Sequence, residues 1–389
     1  MSALKDLIAQ AVDRLADDLE GLSHRIHDNP ELGYQETKAA AWLTEFLGSR
    51  GFKVERGIAG VETAFRATLE TGAGPTIAIM CEYDALPGIG HACGHNVIAA
   101  AGAGAGAALA AVRDRLPNGR IQVIGTPAEE GGGGKVRLLR GGAFQGVDAA
   151  MMIHGWDQWV LHQDLLGIVR VGLEFKGKAA HAAADPWEGV NALDAVIQTF
   201  NNVSMLRQQV RPDARIHGII THGGAAPNII PEFAAATFYV RAARLDYLGD
   251  LRTRVVACAE GAAAATGCTL TVTDHDTPYD PMKRNDTLLD VFRSNMARLG
   301  VAESPEVKDR LGSSDVGNVS QVLPTIQPYI RIAPDATPIH SRAFEAAAVG
   351  ALARDGLLKA AKTMAMTTLD LLAEPGLVRK AQEEFRGSR

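Results

Sequence analysis

The chain has 389 residues, which is enough for two or three domains and a large buried core. Apolar residues make up 47% of it and charged residues 22%, values typical of a soluble globular protein. A formal net charge of −6 argues against binding to nucleic acid or to a membrane surface through basic patches.

The N-terminal segment has acidic residues throughout and no basic start followed by an apolar block, so we expect no secretory signal. Its apolar residues recur at helical spacing from Leu4 to Ile26. The longest uncharged run, 97–112, is shorter than the roughly 20 residues of a membrane helix and is rich in Ala and Gly. Four cysteines are too few for a disulfide framework. We therefore expect a cytoplasmic protein with no membrane partner.

Strands and helices alternate in the first part of the chain, a pattern typical of an α/β fold with a mostly parallel sheet. The predicted strands are 76–84, 120–130 and 149–155, and the predicted helices are 36–50, 97–116 and 134–141. In such sheets ligands bind beyond the carboxyl ends of the strands. All three predicted strands end in side chains able to bind a metal.

The middle of the chain has the β-α-β-β-α-β order of a ferredoxin-like unit. Its predicted elements are 166–176, 188–208, 214–222, 232–243, 246–265 and 268–275. A linker at 276–286, a helix, a strand at 322–332 and a long helix at 343–373 follow. We predict a catalytic domain formed by 1–167 and 281–389, with 168–280 inserted into it.

The motif HACGH places Cys93 and His95 on a glycine-containing loop after the strand 76–84. A thiolate and an imidazole suit zinc or a similar divalent ion, although a cysteine near a histidine is more often a packing feature. The run GAGAGA at 102–107 formally matches a dinucleotide fingerprint. It lies inside a predicted helix rather than in a strand-to-helix turn, so we interpret its small residues as a closely packed helix face.

The motif TPAEEGGGG places two carboxylates at a strand end, where a metal would offset their repulsion. Glu130 can then ligate while Glu129 acts as general base on water. A solvated acidic turn before a helix is the alternative for this motif alone. His154 follows the next strand, and His340 lies in a turn before the last long helix. Five groups at such positions could hold two divalent ions: Cys93, His95, Glu130, His154 and His340.

With these motifs the chain resembles the zinc-dependent amidohydrolase and metallopeptidase family that includes aminoacylase and glutamate carboxypeptidase. The branch with p-aminobenzoyl-glutamate hydrolase, auxin-conjugate amidohydrolases and a β-alanyl-lysine-type dipeptidase is the most similar. The motifs that carry the resemblance are CEYDALPGIGHACGHN, PAEEGGGG, GKAAHAAADPWEGVNALDA, GGAAPNIIPEFAAATFYVRA and GSSDVGNVSQVLPTIQPYIRIAP, extended at both ends by IHDNPELGYQE and TPIHS.

The resemblance implies a zinc-exopeptidase-like catalytic domain with an inserted lid and dimerisation domain, and hence a homodimer. It implies the five metal ligands named above, Glu129 as general base, and Asp84 as the aspartate that orients a ligand. In the lid, His181 would stabilise the oxyanion, and Asn228 and Arg241 would bind the carbonyl or carboxylate of a small amide substrate. Two ions per subunit are implied; cysteine favours zinc, while manganese or cobalt also suits the set.

Two positions depart from the family pattern. Many relatives have a histidine where this chain has Glu82, and the auxin-conjugate type has an aspartate at Asn96. The motif CEYDALPG and Asn96 both favour the p-aminobenzoyl-glutamate and dipeptidase side, while Glu82 receives no role. The expected reaction is hydrolysis of a small N-acyl amino acid, a p-aminobenzoyl-glutamate-like conjugate or a dipeptide. Hydrolysis of another C–N bond, as in a carbamoylase or deaminase, and a catalytically silent binding protein remain the alternatives.

Overall fold

The computed structural model describes residues 1–274, 277–305 and 311–387. The chain divides into two compact units. The first unit consists of Met1–Gln163, Lys283–Arg310 and Asn318–Arg389, and the second consists of Asp164–Met282 with Leu311–Gly317. We predict the role of lid and dimerisation domain for 168–280, which falls within the second unit.

The described residues form twelve strands and twelve α-helices. The strands are β1 Lys53–Arg56, β2 Phe65–Glu70, β3 Thr76–Cys81, β4 Arg120–Gly125, β5 Ala149–Met151, β6 His154–Trp156, β7 Gly167–Lys176, β8 Arg215–His222, β9 Phe233–Ala242, β10 Thr269–Asp274, β11 Thr325–Ile326 and β12 Tyr329–Arg331. The helices are α1 Ser2–Arg14, α2 Ala16–His27, α3 Thr37–Gly48, α4 His95–Ala110, α5 Gly134–Arg140, α6 Ala192–Leu206, α7 Leu245–Thr266, α8 Asp286–Arg298, α9 Val316–Ser320, α10 Arg342–Ala347, α11 Ala351–Ala373 and α12 Pro375–Gly387.

The first unit contains a six-stranded sheet of order β1-β2-β4-β3-β5-β11. Strands β4, β3, β5 and β11 run parallel, while β1 and β2 form an antiparallel edge. Strand β3 is buried along its whole length, as expected for a central strand covered on both faces. Strands β6 and β12, which follow β5 and β11 in the chain, form a second parallel pair. The mostly parallel α/β fold is therefore confirmed.

Helix α4 packs unusually close to the sheet because its inward positions are glycines. A Cβ at Gly102 would lie 2.5 Å from the Cys81 Sγ, and one at Gly106 would lie 2.7 Å from Val123 Cγ2. Only a hydrogen atom fits at such positions. The interpretation of GAGAGA as a helix face is thus confirmed, and the close packing fixes the helix whose first residue is His95.

The second unit has an antiparallel sheet of order β10-β7-β9-β8 with helices α6 and α7 packed on it. Its strand β9 alternates strictly between buried and half-buried residues, so one face of the sheet meets the helices. The order of elements is the predicted β-α-β-β-α-β order. Residue 275, the end of the predicted strand 268–275, and residue 276, the start of the predicted linker, lie outside the described residues.

Some elements differ from the sequence prediction. The single helix expected over 343–373 is wrong, because the chain breaks at 348–350 between α10 and α11. Strands β1 and β2 and helix α12 were not predicted; β1 has no buried position that would show a strand period. Among the described residues, no helix combines the length and apolar character needed to cross a bilayer.

Candidate active site

The five predicted metal ligands all belong to the first unit and come from four stretches of the chain. Cys93 precedes α4, and His95 is the first residue of that helix. Glu130 lies in the turn between β4 and α5, His154 begins β6, and His340 lies just before α10. Parallel strands bring such connections to one edge of the sheet.

Among its described residues, the first unit has three groups of side chains in which all potential ligand atoms lie within 4.8 Å of one another. One group is Cys93, His95 and His154, the second is Cys93, Glu130 and His340, and the third is His95, Glu129 and Glu130. Cys93 belongs to the first two groups. The Cys93 Sγ thus lies within 4.8 Å of the potential ligand atoms of both groups.

The hydrogen bonds of two histidines determine which ring nitrogen is available. Nδ1 of His95 lies 2.8 Å from the Asp84 main-chain oxygen, and Nδ1 of His154 lies 2.8 Å from the Gly155 main-chain oxygen. A carbonyl oxygen only accepts, so Nδ1 donates in both rings. The Nε2 atoms therefore face the cluster, and that of His154 lies 3.4 Å from the Cys93 Sγ. Backbone support of this kind is usual for metal-ligating histidines.

Several polar atoms of the cluster are buried without a hydrogen-bond partner among the described residues. They include Nε2 of His95, Oε1 of Glu130 and Oε2 of Glu82. The first two lie 4.0 Å apart, and Oε1 of Glu130 lies 3.4 Å from the His340 Nε2. Buried acceptors that face one another are costly unless a proton or a cation lies between them. The residues present therefore fit a bound divalent ion.

The pKa shifts of the cluster also fit a bound cation. Burial raises the pKa of the Cys93 thiol well above its usual range, and the charge of Glu130 adds to this. Burial lowers the pKa of His95, but the Asp84 carboxylate and Cys93 outweigh it, so the pKa lies well above normal. Burial also lowers the pKa of His154. A cation would displace the protons of Cys93 and His95, as expected for metal ligands.

Asp84 connects two of these groups. Besides receiving the His95 Nδ1–H on its main-chain oxygen, it accepts the Glu130 main-chain N–H on Oδ2 at 2.9 Å. Burial raises the pKa of Asp84, but His95 and the backbone N–H groups of Glu130 and Glu129 outweigh burial, so the net shift of this pKa is downward. The side chain is thus a carboxylate that contacts one imidazole and the backbone of the acidic turn.

Two residues of the site have left-handed backbone conformations without being glycine. Ala128, directly before Glu129, and His340 both have a φ of 59°. Such conformations cost a non-glycine residue roughly 1–2 kcal/mol each. They cluster at functional sites, where the surrounding structure enforces them. Here the turn at Ala128 presents Glu129, whose side chain is almost completely buried.

A buried ion pair that the sequence did not predict lies beside this cluster. The Lys135 ammonium contacts Oε1 of Glu82, and both side chains are fully buried. The other oxygen of Glu82 lies 3.5 Å from the His95 Nε2. A glutamate directly after a buried strand indicates that a partner is needed. Its lysine, however, is distant in the sequence and lies in a helix of ordinary composition.

The predicted lid residues all belong to the second unit. His181 is exposed, and its Nδ1 accepts the Ala183 and Ala184 N–H groups at 3.2 Å. Its loop is bonded to that of Asn228, whose main-chain oxygen accepts the Ala182 N–H. Arg241 on β9 is half-buried and donates to Ser313 Oγ at 3.3 Å. The roles of these three residues toward a substrate stay predictions.

Known proteins are similar in sequence to most of this chain. The sequence profile of peptidase family M20/M25/M40 matches residues 78–366. The chain belongs to this family. The Xaa-Arg dipeptidase of Mus musculus is 39% identical over 99% of the chain and 93% of that protein. One of the subunits of the p-aminobenzoyl-glutamate hydrolase of Escherichia coli is 30% identical over 94% of the chain and 91% of that protein.

Solved structures share the fold of this family member. An aminohydrolase from methicillin-resistant Staphylococcus aureus has a TM-score of 0.81 at 20% identity, covering 95% of the chain and 100% of that protein. A dinuclear metal-binding M20 peptidase from Bacillus subtilis has a TM-score of 0.74 at 21% identity, covering 93% and 99%. The expected family and fold are confirmed, and the chain is a metal-dependent hydrolase of the M20 family.

Proposed function

We propose that this M20 hydrolase cleaves the amide bond of a dipeptide, a small N-acyl amino acid or a p-aminobenzoyl-glutamate-like conjugate. The observation that carries the proposal is the pair of ligand groups that share Cys93 beside the buried Glu129. Two of the relatives that match nearly the whole chain are named for a dipeptide and for a p-aminobenzoyl conjugate, which supports these substrates.

Two divalent ions per subunit would be held by Cys93, His95, Glu130, His154 and His340. When bound, they would polarise the scissile carbonyl and lower the pKa of water. The thiolate favours zinc, and the histidines and carboxylate also suit manganese or cobalt. Metal analysis of the purified protein, by counting ions per chain, tests this assignment.

Glu129 is proposed as the general base that takes a proton from the attacking water and passes it to the leaving nitrogen. Asp84 would hold His95 and the acidic turn in place. Glu129→Gln should lower kcat by 10²–10⁴-fold with both ions retained, the range usual for acid–base catalysis. Glu130→Gln is the matched control and should lose metal. Near-normal turnover of Glu129→Gln with metal bound would contradict the role.

In the second unit, His181 would stabilise the oxyanion, and Asn228 and Arg241 would bind the substrate's carbonyl or carboxylate. Removing a single oxyanion donor typically costs 10²–10³ in kcat. His181→Ala should therefore lose kcat while keeping its metal, and Arg241→Met should mainly raise KM for substrates with a carboxylate. Unchanged kinetics in either variant would remove that residue from the proposal.

A substrate panel tests the reaction itself. It should contain dipeptides ending in arginine, lysine or alanine, N-acetyl amino acids, p-aminobenzoyl-glutamate and an N-carbamoyl amino acid, each with and without chelator. Chelator-sensitive release of free amino acid from the amides supports the proposal. Exclusive cleavage of the carbamoyl compound would favour the alternative C–N reaction, and activity that ignores chelator would contradict metal dependence.

We further propose a cytoplasmic homodimer that forms through the second unit. Its edge strand β8 pairs only with β9 in the described sheet and exposes Ile219 and Ile220 to solvent, 66% and 45%. Unprotected apolar edges are suited to strand pairing. Sedimentation should show a dimer that Ile219→Lys dissociates and Leu245→Lys, at another exposed site, leaves intact. The four free thiols suit a reducing compartment.

A further inference from the structure

The segment Gly33–Glu36, part of the motif IHDNPELGYQE, has no role in the reaction described so far. Glu36 is fully buried, although its carboxyl group ionises and carries a negative charge at high pH. Its Oε1 accepts the Ala128 main-chain N–H at 2.8 Å, and its Oε2 accepts the Thr63 hydroxyl at 2.9 Å. One carboxylate thus holds the residue directly before Glu129.

The same segment contacts the other side of the acidic turn. The Tyr34 hydroxyl donates to the Gly132 main-chain oxygen at 2.6 Å, and the Arg137 guanidinium stacks over its ring at 4.4 Å. At Gly33, a Cβ would lie 3.0 Å from that of Ala128. The segment therefore touches the turn both before and after the two glutamates.

This turn needs such support because of its backbone. Ala128 is left-handed, and Gly131 and Gly133 that follow the glutamates also have positive φ. Glycine-rich backbone has more conformations available than other sequences, so it does not hold one geometry by itself. The Ala128 main-chain N–H has its acceptor outside the turn, on the Glu36 side chain.

A simpler role for Glu36, capping the helix that follows it, does not account for its contacts. Glu36 is the N-cap residue of α3, but its side chain makes no capping hydrogen bond. The carboxylate of Glu31 accepts the Lys38 and Ala39 N–H groups of that helix instead. Burial, with the Asp84 charge adding to it, raises the pKa of Glu36 to about 7, so keeping this group buried is costly.

We propose that Glu36, assisted by Tyr34, is a positioning residue that fixes the left-handed Ala128 and so directs the carboxylates of Glu129 and Glu130. The inference rests on the proposed function for the roles of these two glutamates. Loss of the acceptor at position 36 would let the turn relax, which displaces the base and one ligand together.

The test compares Glu36→Ala with Glu36→Gln in the full-length protein. Glutamine keeps an acceptor for the Ala128 N–H and presents an amide to Thr63, so it should keep kcat within about threefold of wild type. Alanine removes the acceptor and should lower kcat about 10–100-fold with little change in KM, the effect usual for groups that support a metal site. Both are measured with the best substrate of the panel.

A second readout does not depend on activity. Protein loaded with Co²⁺ absorbs visible light according to the geometry of its ligands, so Glu36→Ala should change this spectrum through Glu130. Glu31→Ala is the matched control, because it removes the nearby carboxylate that caps helix α3. It should lower the melting temperature and leave both kcat and the Co²⁺ spectrum unchanged.

Wild-type kcat and an unchanged Co²⁺ spectrum in Glu36→Ala would overturn the proposal, and so would equal losses in Glu36→Ala and Glu36→Gln. If Glu36→Ala does not fold, Tyr34→Phe is tested in its place. The proposal requires that this variant has a 3–10-fold lower kcat and a changed Co²⁺ spectrum. Without both changes the proposal fails. If wild type hydrolyses nothing in the panel, the proposed function fails, while the Co²⁺ spectra still test the positioning role.

Discussion

The buried carboxylate of Glu36 should make the first unit less stable as the pH rises toward neutrality. Burial raises its pKa from 4.5 to about 7, so between these values the folded chain holds a proton that the unfolded chain has lost. The stabilisation is complete below the unfolded pKa and is lost as the pH rises through the folded one. At 1.36 kcal/mol per pKa unit, the difference amounts to about 3 kcal/mol at pH 8.

Glu36→Gln removes this titration while keeping the side-chain shape and an acceptor for the Ala128 N–H. Relative to wild type, we expect no gain in the free energy of unfolding near pH 4.5 and a gain of about 2–3 kcal/mol at pH 8. Urea unfolding of chelator-treated protein, followed by tryptophan fluorescence, measures this difference. Three of the four tryptophans report on the first unit: Trp42, Trp156 and Trp159.

Other titrating groups face Glu36, namely Asp84 and Tyr83, but they are present in both proteins and enter the difference only through their coupling. Glu62→Gln is the control, because it removes a carboxylate that is exposed to solvent beside Thr63. A flat difference between pH 4.5 and 8 for Glu36→Gln, or a loss that grows with pH, would refute the reasoning.

Lys135→Met should lower the free energy of unfolding by about 3–5 kcal/mol, because it leaves Glu82 buried without a partner. Adding Glu82→Gln should restore most of that loss in a double-mutant cycle. Gly102→Ala should destabilise by about 1–3 kcal/mol through its clash with Cys81, and the exposed Gly261→Ala on α7 should stabilise by about 0.5–1 kcal/mol, both in urea. Zn²⁺ added to chelator-treated protein at 100 times its Kd should add about 2.7 kcal/mol, seen as a higher Tm.

Three results would contradict these predictions. Equal losses in the single and double variants at the ion pair would mean that Lys135 does not compensate Glu82. A stabilised Gly102→Ala would mean that α4 can move away from the sheet at low cost. A melting temperature that ignores Zn²⁺ would argue that the cluster does not bind this ion in the folded state.

The parts of the fold that sequence analysis found have strong local signals. Strand β9 alternates along ten residues, and α7 carries a helical period over more than twenty, so both were predicted within a residue or two. Strand β1, with four residues and no buried side chain, has no such period. Its place is decided by pairing with β2, which the local sequence does not encode.

The same distinction holds for the candidate site. HACGH and PAEEGGGG concentrate unusual side chains in short stretches, and so Cys93, His95 and Glu130 could be picked out directly. The supporting contacts join residues far apart in the sequence: Glu36 to Ala128 and Glu82 to Lys135. Only the three-dimensional packing of the sheet and its connections brings such pairs together, and a single sequence does not report it.

The interrupted first unit has a consequence for biosynthesis. His95, Glu130 and His154 leave the ribosome early, whereas His340 follows only after the entire second unit has been translated. Strands β11 and β12, which pair with β5 and β6, are made equally late. A nascent chain can therefore fold its second unit first but cannot complete a site that includes His340. With His340 as a ligand, as proposed, hydrolysis would begin only after residue 340 has been translated, which shields the growing chain and its neighbours from a prematurely active hydrolase.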